Sequence, residues 1–336
     1  TIGTIYAIKS ERIILNNVNS TGLYFDVRNF ETGYSKDITF SIEPSNAFNK
    51  NLRLIYDENN VFNCLLVNSN TIRIYPNKAG VATLRLAFED SYEEVESDNG
   101  TILMPTKYIE IRVKVADGSA LYPFEIATLD DFKSMINDIN SGANSYNYVL
   151  TNNINLTNYN YVVPTNDFNG SLNGLFEYQL DDVDYSIQSN LIGLTINVNE
   201  NDILNNNANI GLFKALTINA IIKNLNLVDC VININKTYSQ KLESLNVGLI
   251  AGTNAGVIQN SRVTGKINVK AFANELNIGG FVGQNNGEIS GLPSINSGLG
   301  NSDINSIVSI NVKRILSVTN ENDELNEVTN YANIGS

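Results

Sequence analysis

General acid–base chemistry in this chain would fall to carboxylates, because none of its 336 residues is histidine. That absence removes Ser-His-Asp and Cys-His nucleophile systems, the HExxH zinc site and the iron site of two histidines and a carboxylate. The densest carboxylate group is Asp181-Asp182-Val183-Asp184. Paired carboxylates can hydrolyse a glycosidic bond, and oxygen clusters can hold calcium; the same run also reads as a solvated loop between strands. Asp57-Glu58 and the run from Glu93 to Asp98 offer further oxygen ligands, and calcium is the ion expected if any binds. No EF-hand or nonapeptide calcium spacing accompanies them. The expectation is a chain with no catalytic residue, no metal site and no cofactor.

Two other residue types could act on a partner. Cys64 and Cys230 are too few for a four-thiolate site. Each lies in an apolar, strand-like run, where a free thiol behaves as a small hydrophobe; buried free thiols are expected in preference to a disulfide. Tyr146 and Tyr148 form one i, i+2 pair, and Tyr159 and Tyr161 another. In an extended segment each pair shares a face. Beside asparagine amides such rings make sugar-binding platforms. The alternative is that the four pack beneath a helix and close the first turn of the fold.

The elements that must position these residues fall into two regions. Residues 1–117 carry short runs with period-two alternation, such as Ile38-Thr39-Phe40-Ser41-Ile42 and Thr71-Ile72-Arg73-Ile74-Tyr75. About seven such strands in about 110 residues suit an antiparallel sandwich. The acidic run Glu89–Gly100 reads as a long exposed loop. Ala116-Asp117-Gly118-Ser119-Ala120 has the composition of a linker. Residues 118–336 open with one helix over 128–141, capped by Thr128 and Asp131 and stopped at Ser141-Gly142. Short strands separated by Asn and Gly follow.

The composition excludes further classes. With 22 basic and 35 acidic side chains the net charge is −13, which repels phosphate backbones, so no nucleic-acid partner is expected. No stretch approaches the roughly 18 apolar residues of a membrane helix, and no signal peptide is read, so no membrane insertion is expected. The chain begins with Thr1 and stops six residues into a repeat, at Tyr331–Ser336, which reads as a piece of something longer. Asparagine accounts for 56 residues. Amide ladders between stacked strands would use them; a low-GC genome would enrich them too.

The repeat carries the strongest signal. Asn209-Ile210-Gly211, Asn246-Val247-Gly248, Asn277-Ile278-Gly279 and Asn333-Ile334-Gly335 open four units, with isoleucines recurring at Ile222, Ile258 and Ile289. A period in the thirties with insertions marks stacked structural repeats, whose corners need residues tolerant of positive φ. Residues 246–261 and 277–290 resemble the GLUG motif. Asp37–Ala47 with Asn77–Leu84 resembles the bacterial group 2 immunoglobulin-like domain. These resemblances imply a mainly β chain: an Ig-like β-sandwich, then a right-handed parallel β-solenoid (β-helix) with an N-terminal capping helix. They imply a bacterial cell-surface or extracellular protein, non-catalytic, acting in adhesion or surface assembly. Its partner would be a host glycan or protein ligand, or neighbouring surface-protein subunits. The non-catalytic amino-terminal region of a large secreted protease or glycan-active enzyme, and a structural subunit of a surface layer or extracellular filament, are the alternatives.

Overall fold

The computed structural model describes residues 9–19, 21–29, 34–56, 61–97, 100–180, 182–291, 307–315 and 333–335. Among these the protein is mainly β, with antiparallel sheets first, parallel sheets curled into a half-barrel after them, and one α-helix. It divides into two compact units, Thr1–Tyr122 with Tyr178–Tyr185, and Pro123–Glu177 with Ser186–Ser336. No helix among the described residues is long and apolar enough to cross a membrane.

The alternating runs of the first unit form two four-stranded sheets. One orders Arg12–Leu15, Lys36–Glu43, Thr71–Pro76 and Phe62–Asn68; the other orders Leu23–Asp26, Tyr108–Ala116, Gly80–Phe88 and Leu52–Tyr56. Both contribute to one apolar core that includes Phe25, Phe40, Ile72, Leu84 and Val113. Period-two burial puts alternate side chains there: Ile38, Phe40 and Ile42 point in while Asp37 and Ser41 stay in water. Two features depart from the sequence reading. Leu23–Asp26 runs parallel to Tyr108–Ala116, because the chain leaves the first sheet after Leu15 and enters the second at Leu23. The acidic run expected as a loop is instead a ribbon, Tyr92–Ser97 paired antiparallel with Gly100–Pro105. The strand-forming Thr101-Ile102-Leu103 gives the acidic residues a partner, while the pairing leaves the carboxylates exposed.

In the second unit the helix Leu129–Ser141 connects two parallel strands, Phe124–Ile126 and Asn147–Leu150; parallel neighbours need such a crossover. Thr128 and Asp131 form the capping box, and Gly142 ends the helix at φ 93°. Phe132, Met135, Ile136 and Ile139 are its buried face. Beyond it the strands stack in parallel rungs. One column runs Phe124, Tyr148, Leu172, Ile222, Ile258 and Ile289, buried until its last member. The offsets between repeat openings are the offsets of paired rungs: Ile210 pairs with Val247, Val247 with Ile278, and Ile278 with Ile334. Tyr331, Ala332 and Ser336, also part of the fourth opening, lie outside the described residues.

The corners use their residues differently from expectation. Asn224 and Asn260 take positive φ, at 52° and 49°. The repeat glycines do not; they are small because another rung passes too close. A Cβ on Gly248 would lie 2.4 Å from the Val282 Cα, and one on Gly252 would lie 2.6 Å from the Asn209 Cα.

Candidate binding surface

The four tyrosines converge, but on phenylalanines. Tyr146 and Tyr148 both meet Phe124, at centroid distances of 5.1 and 6.0 Å. Tyr159 and Tyr161 both meet Phe132, at 6.2 and 6.1 Å. Tyr148 is buried and its hydroxyl donates to Asp138 Oδ2 at 2.8 Å. Tyr161 is buried and donates to the Leu212 carbonyl; burial pushes its phenol well above the usual range. Tyr146 and Tyr159 are half-buried, and Lys133 Nζ lies 5.8 Å over the Tyr159 ring. The buried pair offers no ring face to a sugar.

The carboxylates are scattered. Asp182, at the turn between Leu175–Leu180 and Val183–Gln188, and Asp184, in the second of these strands, are exposed; Asp184 accepts from Gln179 Nε2 at 3.2 Å. Asp181, Asp57, Glu58 and Asp98 lie outside the described residues. Among the described residues no three His, Cys, Asp or Glu side chains come together as a metal site. Both cysteines are free, Cys64 half-buried and Cys230 fully buried. Burial pushes their thiols up to about 11 and about 12, which removes nucleophilic thiolate at neutral pH. In the first unit a cavity of about 660 Å³ includes Arg85, Tyr108 and Glu110 in its lining. Its Arg85 and Glu110 charges are spent on each other in an ion pair.

The asparagines are organised. In the parallel sheet formed by Thr195–Val198, Asn226–Lys236, Arg262–Gly279 and Ile307–Ile315, Asn197, Asn233, Asn268 and Asn311 occupy one register. Each amide Nδ2 donates to the Oδ1 of the preceding rung at 2.9 Å. Inside this layer, Ile196, Ile232 and Ile267 are buried. An amide has two N–H donors and two carbonyl lone pairs, so a mid-ladder asparagine keeps one of each for solvent or a ligand. Beside the ladder, Asn235, Lys270 and Lys313 form a second outward column. A groove of about 400 Å³ runs between the columns. The pattern behind it is visible in the sequence as Ile196-Asn197-Val198-Asn199, Ile232-Asn233-Ile234-Asn235, Ile267-Asn268-Val269-Lys270 and Ile310-Asn311-Val312-Lys313. The glycine-centred reading of the repeat passed over it.

The glycine-rich repeat segments also acquire a physical reading. In Gly252-Thr253-Asn254-Ala255-Gly256, the buried Asn254 Oδ1 accepts from the Gly256 N–H at 3.0 Å. Its Nδ2 donates to Asn285 Oδ1 of the next unit at 2.8 Å. Asn285 repeats the turn on Gly287 at 3.3 Å. One side chain therefore makes a corner and joins it to the next.

A buried lysine secures the edge of the sheet face. Lys236 turns inward, and its ammonium donates to the Glu200 carbonyl at 2.6 Å, to Ser239 Oγ at 3.1 Å and to the Asp202 carbonyl. Burial pushes the Glu200 carboxyl up, but hydrogen bonds from Thr237 and Ser239 outweigh it and hold the group below its usual value. Neither residue was legible as structural from its position in the sequence. No protein-family model, curated protein or solved structure matches this chain.

Proposed function

We propose that this chain is a non-catalytic segment of a bacterial surface protein, acting in adhesion or surface assembly. Its first unit is an immunoglobulin-like sandwich and its second a right-handed β-solenoid of GLUG-type repeats. The observation that carries the reading is the coincidence of sequence repeat with rung: openings at 210, 247, 278 and 334 pair in succession. Stacked repeats of this kind give a long, stiff surface whose outward residues are available for recognition. The resemblance supplies the extracellular, cell-surface setting; the partner is a host glycan, a host protein or a neighbouring subunit. The test is binding of the chain to glycan and matrix-protein arrays, beside incubation with a polysaccharide panel. Saturable binding without turnover is the expected result. Hydrolysis of any panel member would overturn the non-catalytic reading, and self-assembly with no binding would move it to a filament or surface layer.

A further inference from the structure

We infer that the edge strand Phe62–Asn68 of the first unit is a contact surface for a second copy of this chain. The strand pairs antiparallel with itself, joining two four-stranded sheets into one of eight. This pairing belongs to the sandwich and is separate from whatever the repeats bind. The two sandwich sheets present four edge strands. Arg12–Leu15, Leu23–Asp26 and Leu52–Tyr56 are four or five residues long, and each carries a charged residue, Arg12, Asp26 or Arg53. Short length and charge are how natural proteins keep edges from pairing. Phe62–Asn68 has neither safeguard: it runs seven residues without a charge or a proline. Among the described residues it pairs with Thr71–Pro76 alone. Leu65, Leu66 and Val67 are 45, 44 and 43% exposed. Phe62 is buried in the core and Cys64 packs against it, which holds the strand in place.

The backbone of this edge is poised for a partner strand. The Val61 carbonyl accepts from the Asn77 N–H at 2.8 Å, one step before the Phe62–Pro76 pair. Antiparallel neighbours alternate between bonded and non-bonded pairs, so Asn63 and Leu65 turn their N–H and C=O groups towards Thr71–Pro76. Pro76, which has no N–H, falls at a non-bonded position. The N–H and C=O groups of Cys64 and Leu66 therefore face out from the edge. What selects a second copy is self-complementarity. With Leu65 on a two-fold axis, Cys64 of each copy lies opposite Leu66 of the other, and these bonded pairs add about four backbone hydrogen bonds. Leu65 meets its own counterpart at a non-bonded pair, where side chains approach most closely. No charge meets a like charge along the strand, on a chain whose net charge of −13 otherwise makes copies repel. One strand used by both copies makes the contact isologous, so assembly closes at two. The contact is small, and the dimer forms reversibly.

The experiment measures the mass of the full chain in solution by analytical ultracentrifugation over a concentration series. Leu65→Lys is compared with Leu103→Lys, which changes an exposed leucine of the acidic ribbon. Thermal melts establish that the variants fold. The expected result is a monomer–dimer equilibrium in the parent, weakened at least about tenfold by Leu65→Lys, which sets two ammoniums face to face. Leu103→Lys should associate as the parent does. A second arm reads the register. In a Cys64→Ala background, Leu65→Cys should form a covalent dimer on mild oxidation, because a non-bonded pair holds its Cα atoms about 4.5 Å apart, within disulfide reach. Leu103→Cys should not. A parent that stays monomeric at every concentration, growth beyond dimers, equal weakening by both lysines or equal cross-linking by both cysteines would overturn the inference. Each of these results leaves the adhesion reading to its own binding test.

Discussion

Asn254 and Asn285 hold equivalent places in successive repeats and pair across a rung, but they differ in burial, and that difference sets a measurable cost. Asn254 is fully buried, and Gly256, whose N–H it accepts, is buried too. Asn254→Ala removes its bond to Asn285, worth about 1 kcal/mol net. It also strands the Gly256 N–H away from water, which costs about 1–3 kcal/mol more. The sum is about 2–4 kcal/mol. Asn285 is exposed, so after Asn285→Ala water can serve the Gly287 N–H, while the buried Asn254 Nδ2 keeps the Gly256 and Glu288 carbonyls, each at 3.4 Å; the cost is about 1 kcal/mol or less. Urea unfolding followed by circular dichroism reads the difference. Thermal melting gives a second reading, since 1 kcal/mol lowers the Tm of a unit of roughly 200 residues by about 2–4 °C. Equal destabilisation by the two substitutions, or less than about 0.5 kcal/mol for Asn254→Ala, would refute the claim that the motif asparagine is an internal joint.

Two further outcomes follow from the same structure. In a double-mutant cycle, Asn233→Ala and Asn268→Ala should show a coupling of about 1 kcal/mol, the size of their shared bond; zero coupling would mean the ladder is incidental to packing. Cys230 has its thiol raised by burial to about 12 from an ordinary 9.0, so the folded state resists ionisation that the unfolded chain accepts. Its contribution is fully present below about pH 9 and is lost as pH rises towards 12, by up to about 4 kcal/mol. Cys230→Ala should therefore flatten the alkaline stability profile in that window, and native Cys230 should resist thiol reagents at neutral pH; rapid labelling would contradict its burial.

The helix was readable almost to the residue because its signals are local: a capping box, an apolar stripe from Phe132 to Ile139 and a terminal glycine lie within fifteen positions. The repeat was equally readable, since a stacked strand meets only its neighbours and a repeated sequence must land in register with itself. The ribbon at Tyr92–Pro105 was missed because its acidic half carries no apolar alternation; its strand character comes from the partner it meets. The tyrosines show the limit most clearly. Their spacing placed each pair on a shared side, but spacing alone did not say that Phe124 and Phe132 would occupy that side.

The residue types alone exclude histidine-based chemistry, and the repeat alone determines which residues become neighbours along the stack. The tertiary structure decided how those neighbours are used. It put Ile232 inside and Asn233 outside, and gave Asn254 a buried role and Asn285 an exposed one. The reason is that register follows from sequence periodicity, whereas burial depends on which other columns curl over a given one, and no single segment carries that information.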